Sequence, residues 1–566
     1  MKYLFRTIII ILACLLTFLL VGCSNDETTE SLTDNTSSIV DTASSTALPV
    51  TDNSVTAQPT TEEFSVSTEE GVYEPIEEVV ESSGIYRITE AGTYSFEGYL
   101  EGQVLVEAGE NDEVVIELNG VTITNSEDSP IKILSALSVD ISAKSGTENI
   151  INDNRSTKSK EDETQGEGAI YAKCDLKIKG SGTLVVNGTY NNGIHTTKDL
   201  KIQKVSLKVS AFNNALKGND SITISSGIVI AISTNGDGIK TENTDLNKNG
   251  QTRGDIVIEG GSVAVYAAGD GIQAAHDFEI STNNEDNVAP SLNIYTGSYS
   301  GYTAKSASTT SYKGIKVQNE LRVHSGSINI ESYDDGLHAD YGTKFTSEEV
   351  GIGTITIDGG GLVINVYSPT TSTGGGRPGP QSGWGGQKGV SGADAIHADY
   401  TLNIIGGTIE IDSAYEGLEA NIINVSGGKT YVIGNDDGIN ACKGVATPEV
   451  NVSGGYLDVT VSPNGDTDGI DSNGTYVQTG GIVITRGPNM EMMAALDTDR
   501  GATISGGTLI VLGYASVKRS SDVQSKSMSL HTSGNHTITV DGVSYTFTNK
   551  YSYSRTTVYS SSDISS

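Results

Sequence analysis

From residue 76 onward the chain is built of short runs in which apolar and polar residues alternate, interrupted by pairs of glycines. Ile256-Val-Ile-Glu-Gly-Gly-Ser-Val-Ala-Val is one such run, and Leu402-Asn-Ile-Ile-Gly-Gly-Thr-Ile-Glu-Ile, Val450-Asn-Val-Ser-Gly-Gly-Tyr-Leu-Asp-Val and Ala502-Thr-Ile-Ser-Gly-Gly-Thr-Leu-Ile-Val repeat it. Alternation with period two predicts strands that bury one face. The Gly pair predicts a corner, because Gly adopts positive φ without steric cost.

A second repeat is offset from the first. An acidic or amide residue, a small residue and then Ile or Leu recur at Asp237, Asp270, Asp335, Asp394, Glu416, Asp437 and Asp468, with looser copies at Ala169, Gly193, Ala215, Gly314 and Ala495. The apolar members are Ile170, Ile194, Leu216, Ile239, Ile272, Ile315, Leu337, Ile396, Leu418, Ile439, Ile470 and Leu496. Where no polar insertion intervenes, the small residues recur about every 22 positions, which is too short for a helix pair and long enough for one coil of a parallel β-helix. The fold class predicted is therefore all-β. Three short strands and three turns make a coil, and coils stack about 4.8 Å apart with the Ile/Leu column inside.

The same patterning divides the chain. Residues 1–22 carry Lys2 and Arg6 ahead of an apolar run, as a secretory signal does. Leu20-Val-Gly-Cys23 resembles the bacterial lipobox, which implies a lipid on Cys23 and an exported protein anchored at the cell surface. Residues 23–75 are rich in Ser, Thr, Asp and Glu and are expected to form a disordered linker. Residues 76–151 are expected to supply an N-terminal β cap and the first coils, 152–530 the parallel β-helix, and 531–566 a β-hairpin and tail. Cys174 and Cys442 fall nine coils apart, roughly 43 Å. A disulfide needs Cα atoms within about 7 Å, so two free thiols are expected.

Charge changes the picture most. Asp and Glu total 71 against 35 Lys and Arg, a net charge of −36. Nucleic acid is an improbable partner, since its binding rests on basic contacts. The acidic residues fall on successive coils at Asp237, Asp270, Asp335, Asp394, Glu416, Asp437 and Asp468, with Asp399 and Asp471 beside them. Like charges one coil apart repel by roughly 3.5 kcal/mol at an effective dielectric near 20. A cation between them would remove that cost. Calcium takes several oxygen ligands in irregular geometry, so these nine residues are its expected ligands. The plainer reading is that Asp-Gly is a good turn former.

Other residues carry less. Lys313 and Lys316 interrupt the acidic column; charge balance is the simpler role, a catalytic base the sharper one. His338 and His397 occur in matching segments, Leu337-His-Ala-Asp-Tyr and Ile396-His-Ala-Asp-Tyr. They read as a surface pair, because a transition-metal site would want more soft ligands. Trp384, the sole Trp, and Tyr341, Tyr400 and Tyr415 are candidate sugar-stacking residues, with His338 and His397 beside them.

From Gly84 to the C-terminus the chain resembles a bacterial family of secreted carbohydrate-binding proteins with a pectate-lyase-like, right-handed parallel β-helix. Val115-Ile-Glu-Leu-Asn-Gly-Val-Thr-Ile, Gly180-Ser-Gly-Thr-Leu-Val-Val, Asn191-Asn-Gly-Ile-His, the Asp-Gly-Ile series and Ala495-Leu-Asp-Thr-Asp carry the resemblance. It implies calcium binding and recognition of plant cell-wall polysaccharide, cellulose and polygalacturonate. Two alternatives follow: a calcium-dependent polysaccharide lyase using Lys313 or Lys316 as base, and a structural adhesin.

Overall fold

A computed structural model of the protein describes residues 65–69, 84–158, 166–301, 311–340, 352–367 and 392–565, with the side chains of 65–69, 298 and 299 left aside. All belong to one compact unit, Pro59–Ser566. The signal, Cys23, Tyr341 and Trp384 lie outside the described residues.

Among the described residues there is no α-helix, and one large, mostly parallel sheet dominates. Through the repeat, each strand pairs with the equivalent strand of the coils before and after it, so three ladders run side by side. The first takes in Asn192–Thr196, Leu216–Gly218 and Ile239–Lys240; the second Asp199–Gln203, Ser221–Ile224 and Asp255–Ile258; the third Ser206–Ala211, Ile228–Ser233 and Ser262–Ala267. Parallel pairing reaches back to Ile85–Ile88, which pairs with Gln103–Glu107.

The Ile/Leu column is continuous. Ile170 pairs in register with Ile194, Ile194 with Leu216, and so on through Ile239, Ile272, Ile315, Leu337, Ile396, Leu418, Ile439 and Ile470 to Leu496. All twelve are buried and belong to one core cluster. The small residue before each has a steric reason. A Cβ on Gly438 would stand 2.6 Å from the Gly469 carbonyl oxygen and 2.2 Å from Val459 Cγ1. The Gly pairs make the corner between the second and third ladders, and the second Gly of each has positive φ, 77° at Gly407 and 78° at Gly455.

Both ends depart from the repeat. Ser65–Glu69, within the linker expected from composition, is instead a strand antiparallel to Thr93–Glu97. The exposed edge of the sheet offers it a row of backbone partners that composition does not reveal. At the far end Thr556–Ser560 pairs antiparallel with Thr508–Leu512, and Gly534–Val540 with Val543–Asn549 forms the hairpin. Cys174 and Cys442 are both free.

Candidate functional site on the first ladder

Most of the residues before the small residue are Asp or Asn, with two side-chain atoms to place, and in these the ladder commits one of them; Glu416 instead accepts from Asn440 Nδ2 at 2.9 Å. Asn192 Oδ1 accepts the Asn214 amide at 3.2 Å, Asn214 Oδ1 the Asp237 amide at 3.1 Å, Asp237 Oδ1 the Asp270 amide at 3.0 Å, and Asp270 Oδ1 the Lys313 amide at 2.8 Å. The series resumes from Asp335 to Asp394 at 2.9 Å, from Asp394 to Glu416 at 3.3 Å, and from Asp437 to Asp468 at 2.8 Å. Each side chain thus satisfies a backbone donor of the next coil, as a cap does at a helix start. Lys313 interrupts the series because it has no acceptor.

The second oxygen meets a base three residues on. Asp237 Oδ2 accepts from Lys240 Nζ at 2.9 Å, Asp335 Oδ2 faces His338 Nδ1 at 2.9 Å, and Asp394 Oδ2 faces His397 Nδ1 at 3.1 Å. Lys313 Nζ also lies 2.5 Å from Asp335 Oδ2 and 3.1 Å from Asp334 Oδ1. Lys240, His338 and His397 lie in one register row of mixed character: His195, Lys217, Lys240, Gln273, Lys316, His338, His397, Glu419, Asn440, Asp471. The row runs from basic to acidic, and the two His mark the crossover, their rings stacked at 4.7 Å.

Of the nine carboxylates expected to bind calcium, Asp237, Asp335, Asp394 and Asp399 meet a basic group directly, the last beside His397 Nε2 at 3.1 Å, while Asp270, Glu416 and Asp471 feel Lys316, His397 and Lys443 respectively. Glu416, Asp437, Asp468 and Asp471 lie among other carboxylates, with His397 offsetting part of the charge at Glu416 and Lys443 part of that at Asp471. Asp436 and Asp497 stand close to them. Burial and mutual repulsion push Asp437 up to about 9, Glu416 to about 8, Asp468 to about 7 and Asp471 to about 6. An oxygen-rich donor set that basic groups compensate only in part suits a hard cation such as calcium. The coils from Asp237 to Asp399 suit it less, because ammonium and imidazole groups already occupy their free oxygens.

Lys313 is a poor base. Burial lowers its affinity for a proton, but Asp335 and Asp334 more than offset this and hold it as the ammonium. Lys316 lies between Gln273 and His338 in the row.

Aromatic residues cluster at the corner leading into this ladder. Tyr333 stacks on Tyr367 at 4.3 Å and meets Tyr312 edge-on at 5.8 Å, two residues from Asp335. Tyr367 and Tyr415 are exposed, and Tyr415 bonds to Asp436. Tyr400 is half-buried in the strand Ile396–Ile404. The Tyr266–Tyr295 stack on the third ladder, 5.0 Å apart, is a related pair. The sequence reading passed over it and Tyr333–Tyr367, although Ser262-Val-Ala-Val-Tyr and Ser291-Leu-Asn-Ile-Tyr align once the strands are set in register.

His195 follows the inward Ile194 and so takes the outward position of its strand, yet it is only 3% exposed, covered by the Tyr171 ring at 5.4 Å. Its Nε2 faces Asn219 Oδ1 at 3.2 Å, Glu167 Oε2 is 3.8 Å from Nδ1, and Lys217 and Glu242 complete its surroundings. Burial, with Lys217, lowers its pKa from 6.5 to about 4. A His held neutral stabilises the fold fully above pH 6.5, and that contribution is lost as pH falls toward 4. Between pH 7 and pH 4.5 the loss is ~2–3 kcal/mol. Urea unfolding at the two pH values should show this difference in wild type and a smaller one in His195→Gln; equal pH slopes would mean His195 does not titrate on unfolding.

An all-β protein with one long parallel sheet, a charged row and an aromatic corner along the row is a repeat scaffold with an extended recognition surface. The chain belongs to the carbohydrate-binding domain-containing protein family, whose model matches residues 82–365, ending before Asp394. A carbohydrate-binding domain-containing protein from Acetivibrio thermocellus is 40% identical over 127 residues, 22% of this chain and 44% of that protein, so the chain matches less than half the length of this relative. A solved structure, the polysaccharide lyase-like protein from C. thermocellum as a gadolinium derivative, is 34% identical, covering 42% of this chain and 87% of that one, with a TM-score of 0.36.

Proposed function

We propose that this is an exported protein, anchored by lipid at Cys23, that binds plant cell-wall polysaccharide (cellulose, polygalacturonate or both) along the first ladder. The three ladders close into a right-handed parallel β-helix, which gives the straight face that a long polymer needs. The observation that carries this reading is the Tyr333–Tyr367 stack beside Lys313, Asp334 and Asp335, within or next to the family-matched residues. Aromatic faces with polar groups at their margin suit sugar rings, which are apolar on their faces and hydroxylated at their rims.

Calcium belongs to the acidic coils in this reading, held by Glu416, Asp437, Asp468 and Asp471. It would supply positive charge for uronate carboxylates that the bare row repels. Binding, rather than lyase chemistry, fits a Lys313 that two Asp hold as the ammonium.

Pull-down on cellulose and polygalacturonate tests the reading. Chelation, or Asp437→Asn with Asp468→Asn, should abolish polygalacturonate capture and leave cellulose capture in place. Tyr367→Ala should weaken cellulose capture by roughly 3- to 10-fold. Calcium-independent capture of polygalacturonate would remove calcium from the reading, and indifference of cellulose capture to Tyr367→Ala would remove the aromatic corner.

A further inference from the structure

Asp394, His397 and Glu419 converge more tightly than the acidic coils. Asp394 Oδ2 lies 3.1 Å and Glu419 Oε2 2.9 Å from the same atom, His397 Nδ1. The ligand atoms of the three lie within 4.8 Å of one another. Asp394 and His397 sit in one coil, and Glu419 is the register partner of His397 in the next. The His397 nitrogen has one proton for two carboxylates, and Asp394 and the Cys442 side chain also bond to Glu419; a cation at that point would serve both carboxylates at once.

The other face of the ring is also set. Asp399 Oδ1 lies 3.1 Å from His397 Nε2. A carboxylate on one imidazole nitrogen fixes the tautomer and aims the lone pair of the other, the arrangement found behind metal-bound His. A separate observation comes from the next coil. Asn440 is the register partner of Glu419, and its Oδ1 is buried without a hydrogen-bond partner, while its Nδ2 donates to Glu416 Oε2 at 2.9 Å. A buried acceptor without a donor is costly, and this one belongs to the register neighbour of Glu419.

Two similar groups among the described residues lack this openness. Asp335, His338 and His397 also lie within 4.8 Å, but Lys313 Nζ is 2.5 Å from Asp335 Oδ2 and supplies the cation. Asp255, His276 and Asp277 form the third group, and there Arg322 Nη1 lies 3.2 Å from Asp277 Oδ2. No Lys or Arg forms an ion pair with Asp394 or Glu419 among the described residues.

We infer that Asp394, His397 and Glu419 form a binding site for a divalent transition-metal ion of the zinc class, with Asp399 positioning the imidazole. One nitrogen and two carboxylate oxygens are a donor set that zinc accepts with a further position open, while calcium has little use for imidazole. The two His do pair, in register and with stacked rings, and His397 also lies between carboxylates, which supplies hard ligands where the sequence shows no further soft ones.

The test is titration of the metal-free protein with zinc by calorimetry, and with cobalt by visible absorption, which reports coordination directly. One zinc per chain should bind, and excess calcium should not displace it. His397→Gln, which keeps a polar side chain in the row, should weaken zinc binding by at least the roughly 10- to 100-fold expected for Asp399→Asn, which removes the positioning charge. Wild-type protein that binds no zinc, or loses it equally to calcium, would overturn the inference. So would zinc binding unchanged in His397→Gln, with circular dichroism confirming that the variant is folded. Polysaccharide capture is not the readout, so this site and the calcium reading fail separately.

Discussion

Asp458→Ala is expected to destabilise the C-terminal end by about 3–5 kcal/mol, because it leaves a buried guanidinium unpaired. Arg486 is fully buried on the third ladder. Its Nη1 pairs with Asp458 and donates to the Val459 carbonyl and Thr460 Oγ1, each at 3.1 Å, and its Nε donates to Asn549 Oδ1 at 2.7 Å. Asn549 in turn donates to the carbonyls of Leu530 at 2.8 Å and Thr532 at 3.0 Å. The guanidinium lies over the Phe547 ring, 5.3 Å from its centroid. One Arg thus ties the hairpin to the outer face of the last coils. Around it Ile484, Ile510, Leu512, Ile538, Phe547 and Val558 form a second core. Hydrogen exchange should show residues 524–565 losing protection before the coils at the other end. A double-mutant cycle with Arg486→Met should show strong coupling; additive effects would mean that the pair does not hold the hairpin.

The second large effect belongs to the inner column. Ile439→Ala should cost about 2–5 kcal/mol, since Ile439 is fully buried between Leu418 and Ile470 and the coils above and below cannot collapse into the gap. Ile228→Ala removes the same atoms from an exposed position at the start of a third-ladder strand and should change stability by about 0.5 kcal/mol or less. Urea midpoints decide between them. Similar losses at the two positions would mean that the faces of the strands are assigned wrongly.

The column was legible because one residue type recurs at one spacing, and only stacking places all its members together. The Asp-Gly steps were legible as a row, and their division of labour was not. Which oxygen of Asp335 caps the Asp394 amide depends on two coils separated by an insertion, and no local pattern encodes that distance. The reach of Lys313 across to Asp335 is hidden in the same way. The second core had a local signal. Ile482-Val-Ile-Thr-Arg and Thr508-Leu-Ile-Val-Leu have apolar residues on both faces, as strands covered on both sides do. The strand at Ser65–Glu69 had none, because its partner is a sheet edge and not a property of its own composition.

The shared geometry of the Asp-Gly steps has an evolutionary consequence. Folding information sits on the inward Ile or Leu, the small residue and one oxygen; the side chain that follows the inward residue differs from coil to coil, as Lys240, Gln273, Lys316, His338 and Glu419 show. The outward row can therefore change one coil at a time without disturbing the interior. Duplicating a coil lengthens that row by one rung, with the capping bond to its neighbour already provided. Change on such a scaffold is additive: the charge of the row can vary along its length while the interior column keeps the same Ile or Leu.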